Sequence, residues 1–210
     1  MRVALIIDGS QTNKFEDAFH TLKEVCENYG HTLVNYGMFG QQDKKLSYTH
    51  CALLAAILLN AKACDYAVIV CKTGQGATIA LNSFPNVVCG CLRDSIEAYY
   101  FRKVFPGNAI AVSYDRGYSS DLNLHYCFEN IFKDDDRKTE YNKSMYIDSV
   151  DREQLEFIKT ATTEKMVNIL KKIDKNFLLE TIDRESFRQY FFRDASDQEL
   201  SDLLKEELHI

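Results

Sequence analysis

The sequence contains no C-x-x-C pair, no Cys/His cluster at zinc spacing and no run of about 18 apolar residues. The first two absences argue against a structural zinc site, and the third against a membrane-spanning helix. The opening stretch, MRVALIIDGS, is too short and too quickly polar for a signal peptide. Basic residues are outnumbered 25 to 31 by acidic ones, giving a formal charge of −6. That leaves no basic field for a nucleic-acid partner. Nucleotide signatures are missing as well. Lys72 precedes the glycines of its loop, which rules out a P-loop, and Ile79 holds the third place of a would-be G-x-G-x-x-G. Internal repeats and low-complexity tracts are absent.

Seven cysteines are present, an odd number, and several lie inside apolar stretches. They read as reduced thiols, so a cytoplasmic location is expected. The remaining composition, 46% hydrophobic and 27% charged over 210 residues, is that of an ordinary globular chain able to bury a core.

Up to Phe132 the pattern alternates between strand and helix. Apolar strands are expected at 2–8, 31–37, 65–71, 86–92 and 108–113, and helices at 15–29, 47–63, 76–83, 95–104 and 120–132. Strands separated by helices and short turns imply a parallel sheet covered on both faces, that is, a three-layer Rossmann-like α/β sandwich. Such sheets bind ligands beyond the C-terminal ends of their strands. Asp8, Cys71, Arg93, Asp94 and Ser113 are all expected there. Residues 133–150 are charged and aperiodic, and read as a linker or arm. Residues 151–210 lack glycine and proline and read as a helical extension packed on the core or on a partner subunit. One amphipathic helix is expected over 151–174, with shorter ones near 184–192 and 197–208.

The segment VCKTGQGATIALNS at 70–83 carries the chemistry. A strand, a glycine turn and a helix start present backbone N–H groups that stabilise an anion, either a phosphate or a developing oxyanion. Beside them, Cys71 would have its thiolate favoured by the helix dipole and by Lys72, and could take a carbon-bound proton. The residues alone equally allow Cys71 to be a small buried hydrophobe ending a strand.

VCKTGQGATIALNSFPNVVCGC resembles the CGTGxGxxIAxNKxxGIRA segment of type B ribose-5-phosphate isomerases and galactose-6-phosphate isomerase subunits. Asp8 after the first strand, LSYTHCALLA at 46–55 and GNAIAVS at 107–113 extend the likeness over residues 1–132. The resemblance implies a cofactor-independent aldose–ketose isomerase acting on a sugar phosphate through an enediol. It also implies a homodimer or tetramer with shared active sites. By the same resemblance Cys71 is the base; Thr73, Gly74, Gln75 and Gly76 form the enediolate-holding loop; and Asp8, Tyr48 and Asn82 bind sugar hydroxyls.

The sequence also departs from that pattern. Lys72 replaces the loop's first glycine, Gly9 stands where a histidine usually follows the aspartate, and Val104 lies nearest the position of the ring-opening histidine. His50 is a candidate replacement for the latter, although a helix-surface role suits it equally. Arg93 at a strand end is a further candidate ligand. No Gly-Gly-Arg-His-x-x-Arg phosphate clamp is present, leaving Arg137 or Lys138 as substitutes. Without a ring-opening acid, an open-chain substrate is allowed. So is the alternative of a sugar-phosphate-binding protein without catalysis.

Overall fold

A computed structural model of the chain describes residues 1–105, 107–114, 121–133 and 149–210. Five strands, β1 (Arg2–Ile7), β2 (Thr32–Gly37), β3 (Tyr66–Cys71), β4 (Cys89–Leu92) and β5 (Ala109–Ser113), form one sheet. Their order is β2-β1-β3-β5-β4, and every pairing is parallel. The fold is thus the expected α/β sandwich. The apolar runs of β1 and β3 are buried on both faces, as a sheet with helices on each side requires.

One face is covered by α1 (Phe15–Asn28), α4 (Ser95–Val104) and α5 (Asp121–Phe132), whose core contains Leu22, Val25, Ala98 and Phe128. The other face carries α2 (Tyr48–Asn60) and α3 (Gln75–Asn82). Every residue of α2 from Cys51 to Leu59 is buried. A helix apolar all round must be covered all round, and here the sheet covers one side and the C-terminal helices the other.

The C-terminal region comprises α6 (Ser149–Thr162), α7 (Met166–Lys172), α8 (Lys175–Ile182) and α9 (Gln198–Leu208), with a π-helical turn at Phe187–Phe191 continuing into a short turn at Phe192–Asp194, and the elements after α6 supply the cover. Leu170, Leu178, Ile182, Phe187, Phe191, Leu200 and Leu204 join α2 in a single core cluster. Asp174 and Asp197 cap α8 and α9, each accepting a backbone N–H at 2.9 Å.

The structure corrects three expected elements. The helix expected over 151–174 is divided in two after Thr162. There Thr160 and Thr162 bond back to the carbonyls of Glu156 and Ile158, and β-branched residues that compete for the helix's own acceptors weaken it. Residues 175–182 are helical, which the apolar spacing did not indicate. The strand expected from 86 begins at Cys89, because the Val88 N–H is taken by Asn108 Oδ1 at 2.9 Å instead of by the ladder.

Candidate active site

The chain reverses its direction of sheet growth between β1 and β3, and that switch point is where an open parallel sheet leaves a crevice. Ile7 pairs with Val70, and Cys71 pairs with Ser113. Asp8, Cys71 and Ser113 therefore stand side by side at the ends of three adjacent strands. The Asp8 N–H donates to Val70 O at 2.9 Å. The Asp8 carboxylate, 7% exposed, accepts the Ser10 N–H at 2.8 Å and also the Ser10 hydroxyl. The Ser113 hydroxyl donates to Lys72 O at 2.8 Å, tying β5 to the start of the glycine turn.

Cys71 is 4% exposed. Burial pushes its thiol up to about 11, and the nearby Asp8 carboxylate and Cys91 add to the rise. The backbone N–H groups of Gly74 and Thr73 oppose it by favouring the charged sulfur. The sequence expectation that the helix start and Lys72 would favour the thiolate is thus overturned for the resting site. The Lys72 side chain is exposed, and desolvation outweighs the two N–H groups.

Gly74 begins α3 with φ +73°, a conformation natural to glycine. A Cβ there would lie 2.7 Å from the Cys91 sulfur and 3.1 Å from Ala111 O. A Cβ on Gly76 would come 3.1 Å from the ring of Tyr48, which is 48% exposed. The two glycines thus let the turn settle onto the strand ends on one side and let Tyr48 lie against it on the other. Thr73 is half-buried and Gln75 exposed along this turn.

Several other candidates are placed differently. Asn82 exchanges two hydrogen bonds of 2.9 Å with the Cys89 backbone, so its amide joins α3 to β4. His50 accepts the Ser47 N–H at Nδ1 (3.3 Å) and faces Glu180 through Nε2 (3.3 Å), with Phe177 packed on its ring at 4.5 Å. Both ring nitrogens are therefore committed to capping α2 and holding α8. Arg93 is paired with Glu97 on the exposed start of α4. Arg137 and Lys138 lie outside the described residues. Among the described residues no His/Cys/Asp/Glu group could hold a metal ion, and no helix is long and apolar enough to cross a membrane.

Two residues central to the turn's surroundings were not singled out from sequence. Cys91 lies under Gly74; the alternation in NVVCGCL placed it on a strand but gave no hint of the turn above it. Arg184, from the C-terminal region, is only 3% exposed in its side chain, and it pairs with Asp43 at 2.6 Å and donates to Lys44 O at 2.8 Å. It thereby fixes the β2–α2 loop. That loop in turn accepts the Gly9 N–H at Leu46 O (2.7 Å) and delivers Tyr48. No local pattern joins residues 43 and 184.

A family profile described as ribose/galactose isomerase matches residues 5–142. A second, described as ribose-5-phosphate isomerase, matches residues 161–206. A crystal structure of a 4-deoxy-L-threo-5-hexosulose-uronate ketol-isomerase with tartrate is similar over the full length of both chains, at 37% identity and a TM-score of 0.92. A ribose-5-phosphate isomerase from Vibrio parahaemolyticus is similar at 30% identity over 99% of each chain, also with a TM-score of 0.92. The type B ribose 5-phosphate isomerase of Trypanosoma brucei shares the fold at 19% identity, with a TM-score of 0.60 over 76% of this chain and 97% of its own. A profile matched across most of the chain, a full-length relative at 37% identity and an acid–thiol pair at the sheet's switch point agree, and the chain belongs to the ribose/galactose isomerase family of sugar isomerases.

Proposed function

We propose that the chain interconverts an aldose and a ketose of an acidic sugar through a cis-enediolate, with Cys71 moving the proton. The observation that carries this reading is the placement of a buried thiol, two N–H groups and a carboxylate at one switch point. Cys71 releases its own proton to solvent as the substrate binds, and the thiolate then removes the proton from the carbon beside the carbonyl. The C–H electron pair forms the C1–C2 double bond, and the carbonyl π pair moves to oxygen. Reprotonation by Cys71 at the neighbouring carbon, with proton exchange between the two oxygens, completes the isomerisation. Atoms and electrons balance without an external redox partner.

The Thr73–Gly76 turn is the oxyanion-holding element. The first N–H groups of α3 have no intrahelical acceptor, and they face a place where negative charge develops. The Thr73 and Gly74 N–H groups already favour the charged sulfur, so they also steady the thiolate when it forms. Asp8 is the second proton-handling group, and Tyr48 closes the site beside Gly76.

The family makes a sugar phosphate the first substrate to try. A sugar acid is the second reading. It is favoured by the 37% full-length identity to an enzyme of a hexosulose-uronate, against 30% to a ribose-5-phosphate isomerase. Isomerisation assays on ribose 5-phosphate and on 4-deoxy-L-threo-5-hexosulose-uronate separate the two. Cys71→Ala and Cys71→Ser are expected to lower kcat by roughly a hundredfold or more on whichever substrate turns over. Activity surviving within a few-fold in Cys71→Ala would remove Cys71 from the mechanism.

A further inference from the structure

Gly9, directly after Asp8, has no positive φ to explain its being glycine. The explanation is space. A Cβ there would lie 2.9 Å from Lys45 Cγ, 3.3 Å from Lys45 Cε and 3.1 Å from Leu46 O. The stem of Lys45 thus lies across the backbone next to Asp8, in the volume that any larger residue 9 would fill. Its ammonium lies one bond beyond Cε, which comes within 3.3 Å of where a Gly9 Cβ would stand.

The two neighbouring lysines of the β2–α2 loop behave differently. Lys44 reaches to the C-terminal region and pairs with Asp183 at 3.0 Å. Lys45 makes no ion pair or side-chain hydrogen bond among the described residues. In a chain of net charge −6, acidic side chains outnumber basic ones. A cation whose stem crosses the residue after Asp8 yet is left without a carboxylate therefore has its three N–H donors available to a ligand. The loop beneath it is fixed by the buried Arg184–Asp43 pair, so the cation's attachment point is set in advance.

We propose that Lys45 is a specificity-determining residue of this site: its ammonium binds the anionic group, phosphate or carboxylate, of the acidic sugar, and Gly9 is the residue that makes room for it. The inference rests on the isomerase reading of the Asp8–Cys71 crevice for what the bound anion belongs to, but the binding itself needs no chemistry.

The test is calorimetric titration of the full chain with inorganic phosphate and, separately, with tartrate, in wild type, Lys45→Met, Lys45→Arg, Gly9→Ala and Cys71→Ala. Lys45→Met is expected to weaken the preferred anion roughly tenfold or more, as for loss of a charge-assisted hydrogen bond. Lys45→Arg should retain binding within a few-fold, and Gly9→Ala should weaken it by displacing the stem. Cys71→Ala should leave it unchanged. With substrate, Lys45→Met is expected to raise KM while kcat changes little. Which probe responds identifies phosphate or carboxylate as the group recognised. The proposal is overturned if wild type binds neither probe at millimolar concentration, or if Lys45→Met, melting as wild type does, binds both within twofold of it. Lys45 is exposed, so that variant has no core to lose. Loss of anion binding in Lys45→Met alongside full activity in Cys71→Ala would instead retain this inference and remove the thiol mechanism.

Discussion

The ring of Tyr48 lies so close to Gly76 that a Cβ on the glycine would sit 3.1 Å from Cδ2 of the tyrosine. The first residue of α2 and the second of α3 thus form one wall of the crevice. Gly76→Ala must push the ring aside while leaving the helix start intact, since alanine is the better helix former. It is expected to keep or raise the melting temperature while lowering kcat/KM roughly tenfold to a hundredfold, the scale of a small misplacement at a reacting centre. Tyr48→Ala in the same background should add little further loss, because both changes act on one contact. Steady-state kinetics on the single and double variants checks this.

Thiol reactivity follows from the burial of Cys71. With its pKa pushed up to about 11, carboxamidomethylation of Cys71 in the unliganded protein is expected to rise with pH throughout pH 8–10 without reaching a plateau. Asp8→Asn removes a neighbouring negative charge and should move that rise to lower pH. Lys72→Met should leave it in place, because burial, the two loop N–H groups, Asp8 and Cys91 are what act on the sulfur. Mass-spectrometric labelling rates across the pH series decide between these outcomes.

The same burial sets an alkaline limit on stability. Cys26, Cys89 and Cys127 are held up to about 12 and Cys71 to about 11, against an ordinary value of 9.0. Below pH 9 both the folded and unfolded chains keep these protons, so stability does not depend on them. Above it the unfolded thiols ionise while the folded ones stay protonated, and stability falls as pH rises, by up to ~1.4 kcal/mol per pH unit for each thiol. Urea unfolding at pH 8, 9 and 10 is expected to show a level value followed by a decline. Replacing Cys127 by alanine should make the decline shallower.

Arg184 and Asp43 join the C-terminal region to the loop that carries Tyr48. Arg184→Met leaves Asp43 without its cation and is expected to destabilise the fold by about 3 kcal/mol, the lower end for breaking a buried pair because Asp43 still reaches solvent. The loss should be non-additive with Asp43→Asn, since the two changes remove one interaction. A double-mutant cycle in urea measures it. A kinetic effect beyond the stability loss is also expected, appearing in kcat/KM, because the loop sets both Tyr48 and the Leu46 carbonyl under Gly9.

The sheet, its parallel pairing and the strand-end location of Asp8 and Cys71 were legible in the sequence because each depends on short-range pattern. Runs such as RVALIID and YAVIVC admit few alternatives once helices flank them. Asp94 stands directly before the helix expected at 95–104 and caps it, accepting the N–H groups of Ile96 and Glu97 at 2.9 Å. Illegible features depend on distant partners. Nothing near Asn82 announces that its amide will be taken up by Cys89 across a turn, and nothing near His50 announces Glu180. The state of Cys71 was misjudged for a related reason. A helix start and an adjacent lysine are visible locally, whereas the burial that outweighs them, aided by the charges of Asp8 and Cys91, comes from distant parts of the chain.

The apolar circumference of α2 bears on how the chain is made. Its outer face is sealed by Leu178, Phe187, Phe191, Leu200 and Leu204, all synthesised more than a hundred residues after it. During translation the sheet and its first helices are complete long before that cover emerges. A ribosome-bound intermediate therefore presents Leu- and Ile-rich helix surface to the medium for the time needed to add the last third of the chain, at about 5–20 residues per second. Arrest or cleavage in that interval yields a fragment with a finished sheet and an adhesive side, so the C-terminal helices act for α2 as a built-in chaperone that arrives last.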